Sequence, residues 1–148
     1  MNEYILLISP FIAAVIAQIT KTLLIRKNKM GLKDFVRASY SGMPSGHSAF
    51  VASLLTIIGL TQGLSSPIFA LTMVFSFIVI SDALKLRRYL GQQGTIINIL
   101  IRDLKEDQFL DEKYPILKER IGHTKMEVLA GTLLGIAVGI LSFLLLGA

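Results

Sequence analysis

The segment Pro44-Ser45-Gly46-His47 places a histidine and a glycine turn at the start of an apolar stretch. The first turn of a helix presents unpaired backbone N–H groups and the positive end of the helix dipole, so it favours an anion. Gly46 has no Cβ to block a ligand, and Ser45 can cap the helix or donate a hydrogen bond. His47 can supply a proton near neutral pH. The segment therefore predicts anion chemistry at a membrane surface.

The second histidine of the chain, His123, precedes Glu127 by four residues. On a helix this spacing puts both side chains on one face, where the carboxylate can hold the imidazole in one tautomer and stabilise its cation. Such a histidine can act as a nucleophile while His47 acts as the proton donor. The alternative is an ordinary surface pair, worth about 0.3 kcal/mol.

Cations near these histidines could neutralise the oxygens of a transferring phosphoryl group. The candidates are Lys21, Lys85, Arg87 and Arg88. Asp82 lies within one helical turn of Lys85 and is predicted to orient it or pair with it. An unpaired cation as deep in an apolar stretch as Lys21 costs about 2 to 3 kcal/mol, which favours an inward-facing role. The other three cations also suit a membrane interface, which is the alternative interpretation.

Membrane helices are expected to position these residues. Of the 148 residues, 53% are hydrophobic and 17% charged, which is too apolar for a soluble domain of this size. About 20 apolar residues suffice to cross a hydrocarbon core of about 30 Å. We therefore expect an all-α fold, a polytopic membrane bundle of about four transmembrane helices in a single domain, 1–148. The predicted spans are about 4–24, 45–64, 67–84 and 124–146.

The remaining polar segment, 85–123, is expected to lie on the cytoplasmic side. Its apolar residues recur at three- and four-residue intervals opposite charged ones, which predicts an amphipathic helix at the membrane interface. The apolar set is Ile96, Ile97, Leu100, Ile101 and Leu104. The charged stretch 107–119, broken by Pro115, predicts a loop or short helix.

The positive charges indicate orientation and partners. All 15 Lys and Arg residues lie within 21–37, a range that includes a basic connector from Arg26 to Arg37, or within 85–125. Four spans place both ranges on one side, which the positive-inside rule assigns to the cytoplasm, with both termini outside the cell membrane. The net charge of +5 then indicates lipid headgroups rather than nucleic acid. The chain has no cysteine, which excludes disulfides and thiolate metal sites.

This topology brings the polar ends of all four spans to one face of the membrane. In the last span, Gly131, Gly135 and Gly139 form a stripe of small residues suited to close helix packing. The same stripe could join two copies of the chain, so a homo-oligomer through these glycines is a further expectation.

Three segments together resemble the divergent membrane branch of the type 2 phosphatidic acid phosphatases, which are related to acid phosphatases and vanadium-dependent haloperoxidases. They are Gly42 to Ala49, Asp82-Ala83 with Arg87-Arg88, and Gly122-His123-Thr124 with Glu127. The resemblance implies that His123 attacks phosphorus to form a phosphohistidine, that Glu127 supports it, and that His47 protonates the leaving group. It also implies that Ser45 and Gly46 cradle the phosphate, with no metal or other cofactor.

The chain departs from the family's arginine pattern. Asn28 stands seven residues after Lys21 and Leu117 six before His123, where the family has arginines. Arg87 and Arg88 are therefore expected to bind the phosphate. The expected function is metal-independent hydrolysis of an isoprenoid or glycerolipid phosphate or diphosphate. The alternatives are a non-catalytic binder or carrier of anionic lipid headgroups and a structural subunit that assembles through the glycine stripe.

Overall fold

The protein is described by a computed structural model over residues 4–27, 42–103, 116–119 and 121–146. Within these ranges the secondary structure is helical and contains no strand. The helices are α1 (Tyr4–Lys27), α2 (Gly46–Gln62), α3 (Pro67–Ser81), α4 (Arg87–Asp103) and α5 (Lys125–Leu146), and a π-helical turn (Asp82–Leu86) joins α3 to α4. The all-α class expected from the sequence is confirmed.

Three helical segments of the described chain are long and apolar enough to cross a membrane: Tyr4–Leu24, Pro67–Asp103 and Lys125–Leu145. The helix α2 is also apolar but has only 17 residues, which at about 1.5 Å each give about 25 Å. Exposed leucine, isoleucine and phenylalanine side chains cover much of α1, α3 and α5, as expected for helices that face lipid. The expected membrane-helix bundle is confirmed, with three long helices and one shorter one.

The short helix α2 lies at the centre of the bundle, because α1, α3 and α5 all pack against it. Buried hydroxyl groups link the helices. The Oγ atoms of Ser9 in α1 and Ser53 in α2 are 2.8 Å apart, and Ser76 of α3 donates to the Val51 carbonyl at 3.4 Å. Helix pairs in lipid associate through close packing and such hydrogen bonds, since the hydrophobic effect gives no drive there.

The glycine stripe of α5 faces α2 within the same chain. A Cβ at Gly131 would overlap the Ser45 carbonyl oxygen, and one at Gly135 would overlap that of Ala49. A Cβ at Gly139 would come within 2.9 Å of the Thr56 Cβ. The stripe therefore brings two backbones of one molecule together, and a homo-oligomer would have to use another surface.

The helix that begins at Pro67 does not end near Leu84, where the sequence analysis ends the third span. It continues through the π-helical turn as α4 and reaches Asp103, 37 residues in all. No glycine or proline interrupts it before Gly91, so no residue forces it to stop. At about 1.5 Å per residue it is about 55 Å long, longer than a hydrocarbon core of about 30 Å. The amphipathic helix is thus an extension of a span.

The buried face of α4 packs against residues 116–119, which lead back toward the second histidine. The Asn98 side chain donates to the Leu117 carbonyl and to Glu119 Oε1, and it accepts from the Leu117 N–H, each at 2.9 Å. A Cβ at Gly91 would overlap the Glu119 carbonyl oxygen. These contacts fix the path of the chain that enters the site. Most of the basic connector, Leu104 and most of the charged stretch 107–119 lie outside the described residues.

Candidate phosphate site

The start of α2 is fastened to α5 by Ser45. Its backbone N–H donates to the Glu127 carbonyl at 2.9 Å. Its side-chain Oγ caps α2, accepting from the Ser48 N–H at 3.4 Å and from the Ser48 hydroxyl at 3.1 Å. Ser45 is fully buried and does not line the cavity described below. Of the two roles that the sequence offers for Ser45, the structure shows the capping one, and the phosphate-cradling role implied by the family resemblance stays a prediction.

The start of α5 holds His123 in a defined orientation. Its Nδ1 is 3.0 Å from Glu127 Oε2, and because a carboxylate can only accept, Nδ1 carries the proton and Nε2 keeps its lone pair. The same Oε2 accepts from the Thr124 N–H at 3.2 Å, and the Glu127 N–H donates to Thr124 Oγ1 at 3.3 Å. This reciprocal pair is a capping box. The spacing Thr124-x-x-Glu127 is the signal for it that the sequence analysis missed.

Burial lowers the pKa of the His123 imidazole below its ordinary value of 6.5, because a poorly solvated site disfavours the charged form. The hydrogen bond and the negative charge of Glu127 raise this pKa, whereas the positive charges of Lys21 and Arg87 lower it. The net direction is downward. His123 is therefore mostly neutral at pH 7, with Nε2 free to act as a nucleophile.

The π-helical turn anchors the backbone of His123. The Arg87 N–H donates to the Asp82 carbonyl, five residues back, rather than to the Ala83 carbonyl as in an α-helix. The Ala83 carbonyl instead accepts from the His123 N–H at 3.0 Å. Gly122 makes this approach possible: its φ is +102°, and a Cβ there would lie 3.0 Å from the Arg88 nitrogen.

The same turn pairs Asp82 with Arg87. Arg87 Nε donates to Asp82 Oδ2 at 2.7 Å. Residues five apart lie about 140° from each other around an α-helix, and the wider π-helical turn brings them together. From the sequence, Asp82 is expected to orient Lys85 or pair with it. In the structure Asp82 pairs with Arg87 instead, because the helix is not an α-helix at this point.

Both histidines face one cavity of about 400 Å³, here called the His47 cavity. Its polar lining consists of Gln18, Lys21, His47, Arg87 and His123, with Gly46 beside them. The two imidazole centroids are 6.2 Å apart, and their planes are inclined by 55°. Lys21 is only 4% exposed, and the negative charge of Glu127 acts on it. Five of the predicted site residues therefore line one cavity: Lys21, Gly46, His47, Arg87 and His123. Glu127 contacts this set through its bond to His123.

The other two predicted cations line an adjoining cavity of about 300 Å³, here called the Lys85 cavity. Its polar lining consists of Lys85, Arg88, Tyr89, Gln92, His123 and Lys125. Among the residues that the structure describes, His123 alone lines both cavities. Arg87 and Arg88 are consecutive on a helix and so point about 100° apart, which explains why they reach different cavities. The structure does not bring Lys85 and Arg88 together with His47.

Comparison with known proteins places the sequence of this chain in a family. Residues 2–138 match the model of the divergent PAP2 family. The chain belongs to the divergent PAP2 family. It is 36% identical over 141 residues to the uncharacterized membrane protein YuiD of Bacillus subtilis strain 168, covering 88% of each chain. No solved structure matches it.

The family match covers every residue that contributes a polar side chain to the candidate site, from Gln18 to Glu127. In this divergent PAP2 protein the arginine of the His47 cavity comes from the π-helical turn at the end of a membrane helix. A π-helical turn has no short sequence signature, so the sequence alone offers Arg87 and Arg88 equally.

Proposed function

We propose that the chain hydrolyses the phosphate monoester or diphosphate of a membrane lipid through a phosphohistidine on His123. One observation carries the proposal: His47 and His123 line the same cavity, with 6.2 Å between their ring centroids. A nucleophile approaches phosphorus to about 3 Å, and a general acid reaches the leaving oxygen over a similar distance. A phosphoryl group therefore fits between the two rings.

In the first step His123 Nε2 attacks phosphorus while the bond between phosphorus and the leaving oxygen breaks. Protonated His47, which is exposed in the cavity, gives its proton to that oxygen, so the lipid leaves as a neutral alcohol or a lipid monophosphate. Glu127 accepts from His123 Nδ1 and stabilises the positive charge that develops on the ring.

In the second step water attacks the phosphohistidine. The bond between phosphorus and Nε2 breaks, His47 accepts the water proton, and inorganic phosphate leaves. The charge on the phosphoryl oxygens is balanced by Arg87, which Asp82 holds in place, and by buried Lys21. Cations fixed in this way stabilise a transition state without having to reorganise.

A lipid substrate suits the apolar part of the same cavity. Ala14 of α1 and Phe50 of α2 line it, and both residues belong to apolar helices of the bundle. A lipid tail can therefore remain in the bilayer while its phosphate enters between the histidines. The positive-inside rule puts this end of the bundle at the cytoplasmic face.

Purified protein would be given phosphatidate, phosphatidylglycerophosphate and isoprenyl diphosphates, with phosphate release as the measurement. The His123→Ala variant should lose about a thousandfold or more in rate. The His47→Ala variant should still form a phosphoenzyme from an aryl phosphate, whose leaving group needs no proton, whereas His123→Ala should not. Arg102→Gln, an exposed change on α4, is the control. A His123→Ala variant as fast as the wild type would exclude the mechanism.

A second candidate is a binder of anionic lipid headgroups without turnover. Its support is the replacement of two family arginines by Asn28 and Leu117. This function predicts tight orthovanadate binding in the His47 cavity, lost in Arg87→Gln, with no phosphate released from any of the substrates. The enzyme hypothesis predicts both binding and release.

A further inference from the structure

Three cations line the Lys85 cavity, and none of them has an acidic partner among the described residues. In the part of the chain that the structure describes, Lys85, Arg88 and Lys125 have no carboxylate oxygen within 4.0 Å. The ion pairs found there join Arg87 to Asp82 and His123 to Glu127. A concave site with an excess of positive charge concentrates anions.

The donors in this cavity suit a phosphate group. Arg88 offers a planar fork that can bind two oxygens at once, and two lysines add mobile charge. Gln92 and the Tyr89 hydroxyl add neutral donors. The cavity volume of about 300 Å³ is ample for a phosphate group.

We propose that the Lys85 cavity is a second anion site, which binds a phosphate-bearing group other than the one that is cleaved. Of the described residues it shares only His123 with the His47 cavity, so the two anions would lie on separate cations. The proposal rests on the proposed function only in naming the His47 cavity as the place of cleavage. Binding itself does not depend on turnover.

Two sources could supply this group, an anionic phospholipid headgroup or free inorganic phosphate. A headgroup is within reach because exposed apolar side chains flank the cavity on the same helix, among them Leu86 and Leu90. Tyr89, 62% exposed, has the amphipathic ring that favours the membrane interface. Free phosphate is the product of the proposed reaction and would be released next to the cavity.

The test uses the full chain in phosphatidylcholine nanodiscs, titrated with inorganic phosphate by calorimetry. We expect two phosphates per wild-type chain. The double variant Lys85→Gln/Arg88→Gln should lose one, with binding about 100-fold weaker, since each charged hydrogen bond contributes roughly a factor of ten. Arg87→Gln should lose the other. Arg102→Gln, the matched charge control on the same helix, should keep both.

A second arm replaces part of the lipid with phosphatidylglycerol. If the site takes a lipid headgroup, phosphate uptake falls to one per chain. Native mass spectrometry should then detect phosphatidylglycerol bound to the wild type but not to the double variant. If the site takes free phosphate, uptake stays at two in both discs. Either result supports a second anion site and identifies its source.

The proposal is overturned if the double variant matches Arg102→Gln in phosphate uptake and in phosphatidylglycerol retention. Phosphate still bound in the His47 cavity of the double variant shows that it is folded. If Arg87→Gln changes nothing while the double variant still loses an anion, the proposed function fails and the second site stands.

Discussion

The two cavities that meet at His123 differ in how their cations are held. In the His47 cavity, Lys21 is buried and Arg87 is bonded to Asp82. In the Lys85 cavity the cations are exposed and have no acidic partner among the described residues: Lys85, Arg88 and Lys125. Fixed charge suits a transition state, whereas mobile charge suits reversible binding of an anion. The difference agrees with the two proposals, which put the chemistry in the first cavity and anion binding in the second.

The boundary between the cavities is the π-helical turn. It pairs Asp82 with Arg87 on one side and anchors the His123 N–H through the Ala83 carbonyl. Arg88, which follows Arg87 in the chain, lines the Lys85 cavity. One local change of helix geometry therefore gives two neighbouring arginines different environments.

Replacing Arg87 and Arg88 one at a time is the strongest test of this difference between the two cavities. Arg87→Gln should lower kcat/KM about 100- to 1,000-fold, because a fixed donor to the transition state is lost. Arg88→Gln should lower it about tenfold or less, because Arg88 lies outside the cavity that holds the scissile group. Steady-state kinetics on a short-chain lipid phosphate measure both. Equal losses for the two variants would mean that the cavities act as one.

Gly122→Ala should disturb the anchor of His123. The residue has φ +102°, and the new Cβ would press on the π-helical turn. We expect about 1 to 3 kcal/mol of lost stability and a fall of about 10- to 100-fold in kcat/KM, because misplacing the nucleophile by about 1 Å is enough for such a loss. Thermal unfolding in detergent and phosphate release measure the two effects.

Gly63→Ala is the matched control for backbone strain. Gly63 also has a positive φ, +83°, but a Cβ there meets no atom within 4 Å. This variant should lose stability and keep its activity. If both variants lose activity in proportion to their stability, the contact of Gly122 with the π-helical turn has no special role.

Much of this site follows from spacing along the chain. The sequence spacing predicts that His123 and Glu127 meet, but α5 begins at Lys125, so His123 precedes the helix rather than lying on it. The Glu127 Oε2 that accepts from the Thr124 N–H in the capping box is the atom that reaches His123 Nδ1. The apolar stretches likewise follow from hydropathy. The inward position of Lys21 follows from the high free energy of an exposed charge in lipid.

The division of the cations does not follow from spacing. If the helix were a regular α-helix, Asp82 would face Lys85. Arg87 and Arg88 would then be equally good candidates for binding the phosphate. The π-helical turn changes the partner of Asp82, and it depends on packing against Gly122, 40 residues away in sequence. A contact of that range has no local signal.

The variant Glu127→Gln should show the effect of the carboxylate on the His123 pKa separately from the effect of burial. The carboxylate raises the pKa of His123 against the effect of burial, so removing its charge lowers that pKa further. The acidic limb of kcat/KM, which reports the neutral nucleophile, should lie below pH 6.5 in the wild type and move to lower pH in the variant. The rate at the optimum should fall about 10- to 100-fold, since the tautomer is less firmly held.

The pH profile of Glu119→Gln serves as the control. Glu119 is an exposed carboxylate that accepts from Asn98 and lies away from both histidines in the hydrogen-bond network. Its acidic limb should match the wild type. An acidic limb that moves to higher pH in Glu127→Gln would mean that Glu127 does not stabilise the protonated ring.

Ser45→Ala decides whether the serine of the Pro-Ser-Gly-His segment binds phosphate or only caps α2. As a cap it should cost about 1 kcal/mol of stability and leave KM unchanged. Ser66 is the matched control, because it caps α3 in the same way by accepting from the Phe69 N–H at 3.3 Å, and Ser66→Ala should cost a similar amount. A KM that rises about tenfold in Ser45→Ala alone would put this hydroxyl on the substrate. The His47 cavity would then extend behind the turn, as far as the buried Ser45 side chain.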